Sequence, residues 1–541
     1  MDGARYFTFF IVALCVTLPA HADASLEALR ERIEQLRAGR ELRVNGDRIS
    51  APAVVAEFYE QRDFRPAWTP ERQEALRALV EGSRADGLEP RDNHLAALRA
   101  GTEDAAGREL LYTDSLIRLA YSLYFGKLDP RRFDPQWNFA HTLDGIDPPR
   151  ALARLIAAPS LGEALYAYAP QMPEYRGLRK ALARYRAIRD ADGWQPLPAG
   201  PTLRPGMRGA RVAALRARLA PASDLASAVA PDPRLYDSAL GEAVVRFQRR
   251  HGLEPDGLVG RRTRAALNVG VQARIDQIRV NLERLRWVAQ DLKGDYLLVD
   301  IAGFRARLVL GGEIAWSSRV VVGRPYRRTP EFRAAMRYIV LNPTWNLPPT
   351  ILQEDIVPKL ARDPDFLVRN HMRVLDLAGN EVEAAAMDWS SYLGRTLPYQ
   401  IVQVPGEDNP LGRLKFMFPN AHDVYLHDTP ARKLFDKSER AFSSGCIRVE
   451  HPLELAVLLL DDPERWNVEA LRATIALGET HELPVKRQVP VMLLYWTAVA
   501  EDDGSVEFHP DLYGRDAPVL EGLRAPFRFG VAPPRGVSSG R

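Results

Sequence analysis

The sequence predicts a multidomain α+β chain: an N-terminal helical scaffold, a small all-α module, and a mainly-β domain carrying a helical insertion. Three observations predict it. Apolar residues recur at helical spacing from Ser25 to about Ala191. A Pro- and Gly-rich stretch from Gly193 to Gly206 then breaks the pattern and gives way to short amphipathic segments. From Phe304 onward the period switches to two, as in half-buried strands. With 541 residues, 46% of them hydrophobic, the chain can bury several cores. Its length suggests about three to four modules. The 73 Lys and Arg nearly balance 70 Asp and Glu, which argues against a nucleic-acid or anionic-membrane binder driven by bulk charge. Two cysteines, Cys15 and Cys446, are too few for a disulfide scaffold or a cysteine-based structural zinc site.

Residues 1–22 read as a signal peptide. Arg5 precedes an apolar run from Tyr6 to Leu18, and Ala20-His21-Ala22 is a small-x-small cleavage site. The alternative is an uncleaved anchor, for which the run is short. Leu14 before Cys15 does not suit a lipoprotein cleavage site, and no later stretch reaches the ~20 apolar residues of a spanning helix. Cleavage after Ala22 delivers the chain beyond the cytoplasm with no stable membrane insertion, and leaves Cys446 as its single thiol. Such a cysteine is an inert buried residue, an intermolecular bridge or a nucleophile.

The scaffold is expected over 23–200. Leu26, Leu29, Ile33 and Leu36 share a helical face, with Ser25 as cap and Gly39 as stop. Thr69-Pro70-Glu71 opens a second helix. Leu116, Leu119 and Leu123 mark a third, and Leu178, Leu182 and Tyr185 a fourth. No catalytic residue types gather here; His94 and His141 each stand alone and read as surface or packing histidines.

The module expected at 201–270 places Val212, Leu215 and Leu219 on one helix and Leu240, Val244 and Phe247 on another, closed by Asp256-Gly257, Gly260 and a short helix to Leu267. Its size suits a binding module better than an enzyme. It resembles the peptidoglycan-binding domain. The resemblance lies in Leu203-Arg204-Pro205-Gly206-Met207-Arg208-Gly209-Ala210-Arg211-Val212 and in Phe247-Gln248-Arg249-Arg250-His251-Gly252-Leu253, continuing through Asp256-Gly257 to Thr263. The plain alternative is a three-helix spacer. A connecting helix is expected over 271–294.

The third region, expected at 295–480, alternates Phe304, Ala306, Leu308 and Leu310 with Arg305 and Arg307, turns at Gly311-Gly312, and returns through Ile314–Val322. Further strands are expected at Met336–Leu341, Tyr399–Val404, Leu414–Phe418 and Asp423–His427. A helical, polar insertion interrupts them at 350–391, a buried helix follows at Pro452–Leu460, and a strand-containing tail occupies 481–541.

The chemistry collects around Cys446. Period two puts Tyr425 and His427 on one strand face and Val424 and Leu426 on the other. Nineteen residues after His427 comes Cys446, within Ser443-Ser444-Gly445-Cys446-Ile447-Arg448-Val449. There Cys446 and Arg448 share a face while Ile447 and Val449 pack inward. Cys446 is the candidate thiolate and His427 the candidate base. The amides near Gly445 and Cys446 are candidate oxyanion donors. The Arg448 cation would favour the thiolate or hold a substrate carboxylate. Asp428 would point away from His427, so a backbone carbonyl is the expected partner of the imidazole. No His, Cys or carboxylate set has metal-binding spacing, His422 included, so no metal and no cofactor is expected.

Tyr425-Leu426-His427-Asp428-Thr429-Pro430 together with Ser443-Ser444-Gly445-Cys446-Ile447-Arg448-Val449 resembles the catalytic signature of the L,D-transpeptidases. Asn342-Pro343-Thr344-Trp345-Asn346-Leu347-Pro348-Pro349, Asn409-Pro410-Leu411-Gly412 and Phe418-Pro419-Asn420 extend it. The combination of regions is similar to the large periplasmic multidomain branch of that family. The resemblance implies Cys446 as nucleophile, His427 as acid/base, and Tyr425 and Arg448 lining the substrate site. It also implies a lid at 350–391, with Trp345 and Asn346 at its base. Ser444 stands where many members have histidine, so only its backbone is carried over. The implied reaction takes a tetrapeptide stem of peptidoglycan, releases D-Ala, and joins two third-position diamino acids through a thioester, with no ATP. Other acceptors (a lipoprotein lysine, a D-amino acid, water) remain open, as does a non-catalytic wall-binding scaffold. The implied partners are peptidoglycan stems and glycan, and the implied location is the periplasm.

Overall fold

The computed structural model describes residues 20–530 apart from 144, 223, 226–229 and 364, and only the backbone at 20–25 and 386. The expected signal peptide and Cys15 lie outside the described residues, except for the last residues of that segment. The chain divides into two compact units, one of residues 1–129, 142–169 and 525–541, the other of 130–141 and 170–524. No helix among the described residues is long and apolar enough to cross a membrane.

The first unit is helical: α1 Ala20–Arg37, α2 Pro52–Glu60, α3 Pro70–Gly82, α4 Leu95–Ala100, α5 Ala105–Phe125, α6 Pro148–Ala157 and α7 Leu161–Tyr166. Side-chain caps start several of them. Thr69 accepts the Arg72 N–H at α3, and Asp104 accepts the Gly107 N–H at 2.9 Å at α5. Helix α1 begins at Ala20, so Ser25, expected as its cap, sits inside it. His94 is not solitary in space. It is buried between Asp114 (2.8 Å) and Asp47 (3.0 Å), and Asp114 also accepts from Arg118 at 2.9 Å. Sequence-distant carboxylates supply those partners, which local reading does not reveal.

The second unit includes α8 Pro173–Asp190, which the expected boundary at 200 places with the scaffold. It packs along α12: Tyr175 accepts from the buried Arg286 at 3.0 Å. The small helical module comprises α9 Ala210–Leu219, α10 Ser238–Arg250 and α11 Arg261–Leu267 around Leu215, Leu240, Phe247 and Leu267. Gln248 staples its Asp256-Gly257 turn, donating to Asp256 at 2.8 Å and accepting the Gly257 N–H at 2.9 Å. Helix α12 Val271–Val288 follows, with nearly every residue from Arg274 onward buried.

The strands are β1 Tyr296–Asp300, β2 Arg305–Leu310, β3 Glu313–Gly323, β4 Phe332–Ala335, β5 Tyr338–Leu341, β6 Trp345–Asn346, β7 Met372–Leu375, β8 Gln400–Gln403, β9 Leu414–Met417, β10 Leu426–His427, β11 Ala441–Ser443, β12 Ile447–Val449, β13 His481–Pro484, β14 Pro490–Leu494, β15 Ala498–Ala500 and β16 Val506–Phe508. One eleven-stranded sheet runs β13-β5-β9-β10-β12-β3-β2-β1-β14-β4, with β11 paired to the end of β3. Its apolar face includes Leu308, Val320, Phe416, Leu426, Ile447 and Val449, under which α16 Pro452–Leu460 and α17 Val468–Ala476 pack. Strand β14 lies between β1 and β4, and β13 forms the far edge. The tail expected from 481 therefore supplies two strands of this sheet, with β15–β16 and α18 Asp516–Arg524 beyond them.

The insertion has its own core of Leu352, Ile356, Leu360, Trp389 and Ile401. Helices α13 Pro349–Ile351, α14 Val357–Leu360 and α15 Phe366–Arg369 lie on a three-stranded sheet ordered β6-β8-β7, with a π-helical segment Leu352–Ile356 between α13 and α14. Strand β8, expected to follow the insertion, pairs with β6 and β7 and so belongs to the small sheet on which the insertion helices lie.

Candidate active site

Pairing register assembles the site on the sheet face away from the core. Strands β10 and β12 are parallel neighbours, with Leu426 opposite Ile447 and His427 opposite Arg448. One step back, Tyr425 lies opposite Cys446, and its carbonyl accepts the Ile447 N–H at 3.1 Å. Leu426 and Ile447 point into the core. Tyr425, His427, Cys446 and Arg448 therefore share the other face. Strand β9 pairs antiparallel on the other side of β10 and puts Lys415 opposite His427. The Lys415 ammonium stands 4.0 Å over the Tyr425 ring, and the Tyr425 and His427 rings are 5.7 Å apart.

The nucleophile loop is braced from within. Ser443 Oγ donates to the Cys446 carbonyl at 2.6 Å and accepts the Gly445 N–H at 3.2 Å. Gly445 has φ +120°, a conformation that an L side chain rarely adopts. Its N–H, expected as an oxyanion donor, is thus directed to Ser443. The Cys446 N–H has no acceptor among the described residues. Cys446 is half-buried, and its Sγ lies 3.8 Å from the Asp423 carbonyl. Burial pushes the thiol up; the N–H and hydroxyl of Tyr425, then Lys415 and Arg448, oppose this. Trp345 at the base of the insertion reaches the Tyr425 hydroxyl. Asn346 is exposed and shows no hydrogen bond to the thiol or the imidazole.

His427 is 4% exposed. Its Nδ1 donates to the Asp428 carbonyl at 2.6 Å, since a carbonyl can only accept, which makes Nε2 the basic nitrogen; the Leu411 backbone also hydrogen-bonds the ring. The Asp428 carboxylate turns elsewhere, to Arg432 at 2.6 Å and the Arg413 N–H at 2.9 Å. Gly412 is required beside it, because a Cβ there would lie 2.4 Å from Asp428 Oδ2. Burial, then Arg448, lowers the imidazole to about 3, with Lys415 adding to the effect. No hydrogen bond joins His427 to Cys446. Both shifts favour a neutral thiol and a neutral imidazole at rest.

Two cations stand beside this pair, Arg448 with no carboxylate among the described residues acting on it and Lys415 with Asp423 and Glu482 acting only at a distance. Neither the Arg448 guanidinium nor the Lys415 ammonium makes a hydrogen bond or ion pair among the described residues, and Arg448 Nε is buried. Burial lowers both groups. Lys415 escaped sequence reading because it joins the site through antiparallel register; the alternation of Leu414, Phe416 and Phe418 with Lys415 and Met417 was the available signal. Asn420 shapes the approach to Tyr425, donating to the Phe418 and Val424 carbonyls at 2.7 Å. His422 lies against the Phe332 ring at 4.8 Å, and no group of three His, Cys, Asp or Glu is assembled for a metal among the described residues.

Comparison with known proteins bears on all three regions. The family profile of a scaffold domain matches residues 53–182, that of a "Putative peptidoglycan binding domain" matches 208–267, and that of the L,D-transpeptidase catalytic domain matches 294–480. A Haemophilus influenzae protein named "Putative L,D-transpeptidase" is 36% identical over 240 residues, covering 44% of this chain and 48% of that protein. This chain thus spans about half the length of that relative. The solved L,D-transpeptidase (residues 123–326) of Xylanimonas cellulosilytica is 16% identical, covers 56% of this chain and all of that one, and superposes with a TM-score of 0.17. That likeness is too slight to bear on the fold. Three successive regions of the chain thus match a scaffold domain, a peptidoglycan-binding domain and an L,D-transpeptidase catalytic domain.

Proposed function

We propose that this chain is a cysteine L,D-transpeptidase of peptidoglycan, acting outside the cytoplasm. The observation that carries this is a half-buried thiol on one sheet face with an imidazole, flanked by the Lys415 ammonium and by an Arg448 guanidinium without a counter-ion. A donor stem ending in D-Ala carries the carboxylate that Arg448 lacks. Its terminal carboxylate at Arg448 would set the preceding carbonyl over Cys446.

Cys446 Sγ attacks that carbonyl while its proton passes to His427 Nε2. The oxyanion takes the free Cys446 N–H and the Tyr425 hydroxyl. Collapse breaks the amide, His427 returns the proton to the D-Ala amine, and a thioester remains. The side-chain amine of a second stem then attacks the thioester, loses its proton to His427, and frees the thiol in a 3-3 cross-link. An imidazole lowered to about 3 is a weak base at neutral pH. Burial is the larger cause and stays, but a bound carboxylate offsets the smaller effect of the cations, so basicity rises where the donor sits.

Arg448→Met should raise KM for a free-acid donor by about ten- to a hundredfold, the worth of a charge-assisted hydrogen bond. A donor ending in D-Ala amide should suffer that loss in the wild type and lose little more in the variant. Equal discrimination by both proteins would remove the carboxylate from Arg448. Lys415→Met should show a smaller change in the same direction.

The product profile tests the function itself. Incubated with tetrapeptide muropeptides, the full chain should yield 3-3 dimers and free D-Ala. Tripeptides alone would make it a carboxypeptidase, and D-amino acid exchange products would move the acceptor elsewhere. No turnover of any kind would leave a wall-binding scaffold.

A further inference from the structure

Three consecutive residues ahead of the thiol are held by one segment between β3 and β4. The Arg324 N–H donates to the Ser443 carbonyl at 3.0 Å, the Arg327 guanidinium to Ser444 Oγ at 2.9 Å, and Thr329 Oγ1 to the Gly445 carbonyl at 2.7 Å. The segment is itself fixed. Thr329 is fully buried, its Oγ1 accepts the Gly323 N–H at 2.9 Å, and the Tyr513 hydroxyl bridges the Gly323 carbonyl at 2.7 Å and the Thr329 N–H at 3.1 Å. The strap therefore sets the backbone that aims the Cys446 N–H.

Arg327 also faces the insertion. The same guanidinium pairs with Glu354 and Asp355 in the π-helical segment Leu352–Ile356. Its side chain is only 9% exposed, although both acids are reachable by water. Serving two carboxylates and a hydroxyl at once needs the planar fork of arginine; a lysine ammonium lacks that reach. A π-wound turn of this kind is common where a helix is adapted to a site.

We infer that Arg327 is a positioning residue that couples the seating of the insertion to the set of the nucleophile loop. While Glu354 and Asp355 hold the guanidinium, Ser444 keeps its donor and the loop stays aimed. When they let go, Arg327 turns to water, Ser444 loses its donor, and the cleft admits water to the thioester. The chemical consequence rests on the transpeptidase reading; the coupling does not.

Hydrogen exchange and product partition on the full chain test it. Arg327→Ala should speed exchange in two places at once, residues 350–360 and 443–447, and lower the ratio of amine transfer to hydrolysis about tenfold. Alkylation of Cys446 by iodoacetamide should stay near wild type, because Arg327 holds Ser444 and not the thiol. Arg327→Lys should loosen 443–447 as alanine does. If the alanine protein folds poorly, Glu354→Gln with Asp355→Asn leaves Arg327 in place and should still loosen 443–447. Faster exchange confined to the insertion overturns the coupling, and a loosened loop with an unchanged product ratio overturns its chemical consequence. A wild type that forms no thioester sinks the transpeptidase reading alone, and the exchange data then decide the coupling.

Discussion

Replacing Cys446 with alanine should abolish both turnover and covalent capture. Incubated with a carbapenem, the wild type should gain the mass of the opened lactam on Cys446, and Cys446→Ala should gain nothing. Cross-linking should fall by on the order of 10⁴-fold or more, since the residual catalysis of a site without its nucleophile has no acyl-enzyme to pass through. Folding should not follow. Cys446 is half-buried and its Sγ makes only weak polar contacts, to the Asp423 carbonyl at 3.8 Å and to Tyr425, whereas Ile447 and Val449 on either side of Arg448 carry the packing. Thermal unfolding within about two degrees of wild type is the expected companion result. An adduct that persists on Cys446→Ala would place the acylated residue elsewhere and end the assignment.

Much of this site was legible because it lies in two short extended segments. Period-two alternation in Tyr425–His427 and Cys446–Val449 already sorts core from cleft, and the parallel pairing of β10 with β12 brings the two sorted faces together. The helices were legible where local chemistry marks them, as at Thr69-Pro70. What escaped depends on partners distant in sequence. Lys415 enters through its register with His427, and His94 through Asp47 and Asp114. Strand β8 reads as a strand in sequence, but its partners, the distant β6 and β7, do not. Helix α8 reads as scaffold by period, yet its buried face meets α12. The Gly445 N–H is a different case. Ser443 two residues earlier is a local acceptor, and a side-chain-to-backbone turn of that kind is a recognisable pattern.

Replacing His427 with glutamine should separate the two ways a histidine can serve a cysteine. A preformed thiolate–imidazolium pair gives a reactive thiol at neutral pH that is lost with the imidazole. A neutral pair gives an ordinary thiol whose proton is removed only during attack. Here burial raises the thiol, while burial and Arg448 hold the imidazole down at about 3, so the second arrangement is expected. Alkylation of the wild type by iodoacetamide should therefore rise only in the alkaline range, with no plateau near neutrality. His427→Gln should leave that curve almost unmoved while slowing acylation by a donor stem about 10²–10⁴-fold, the usual worth of a general base. The sign of the pH dependence follows. A lowered imidazole stays neutral and competent as pH falls below its ordinary 6.5, so the acid limb of kcat/KM, which reports the free enzyme, should lie well below that value, towards 3. Arg448→Met removes one cause of the lowering and should move that limb upward. An acid limb at 6.5 in the wild type, unmoved by Arg448→Met, would show that the cation does not govern the base and that the carboxylate of the donor has nothing to neutralise.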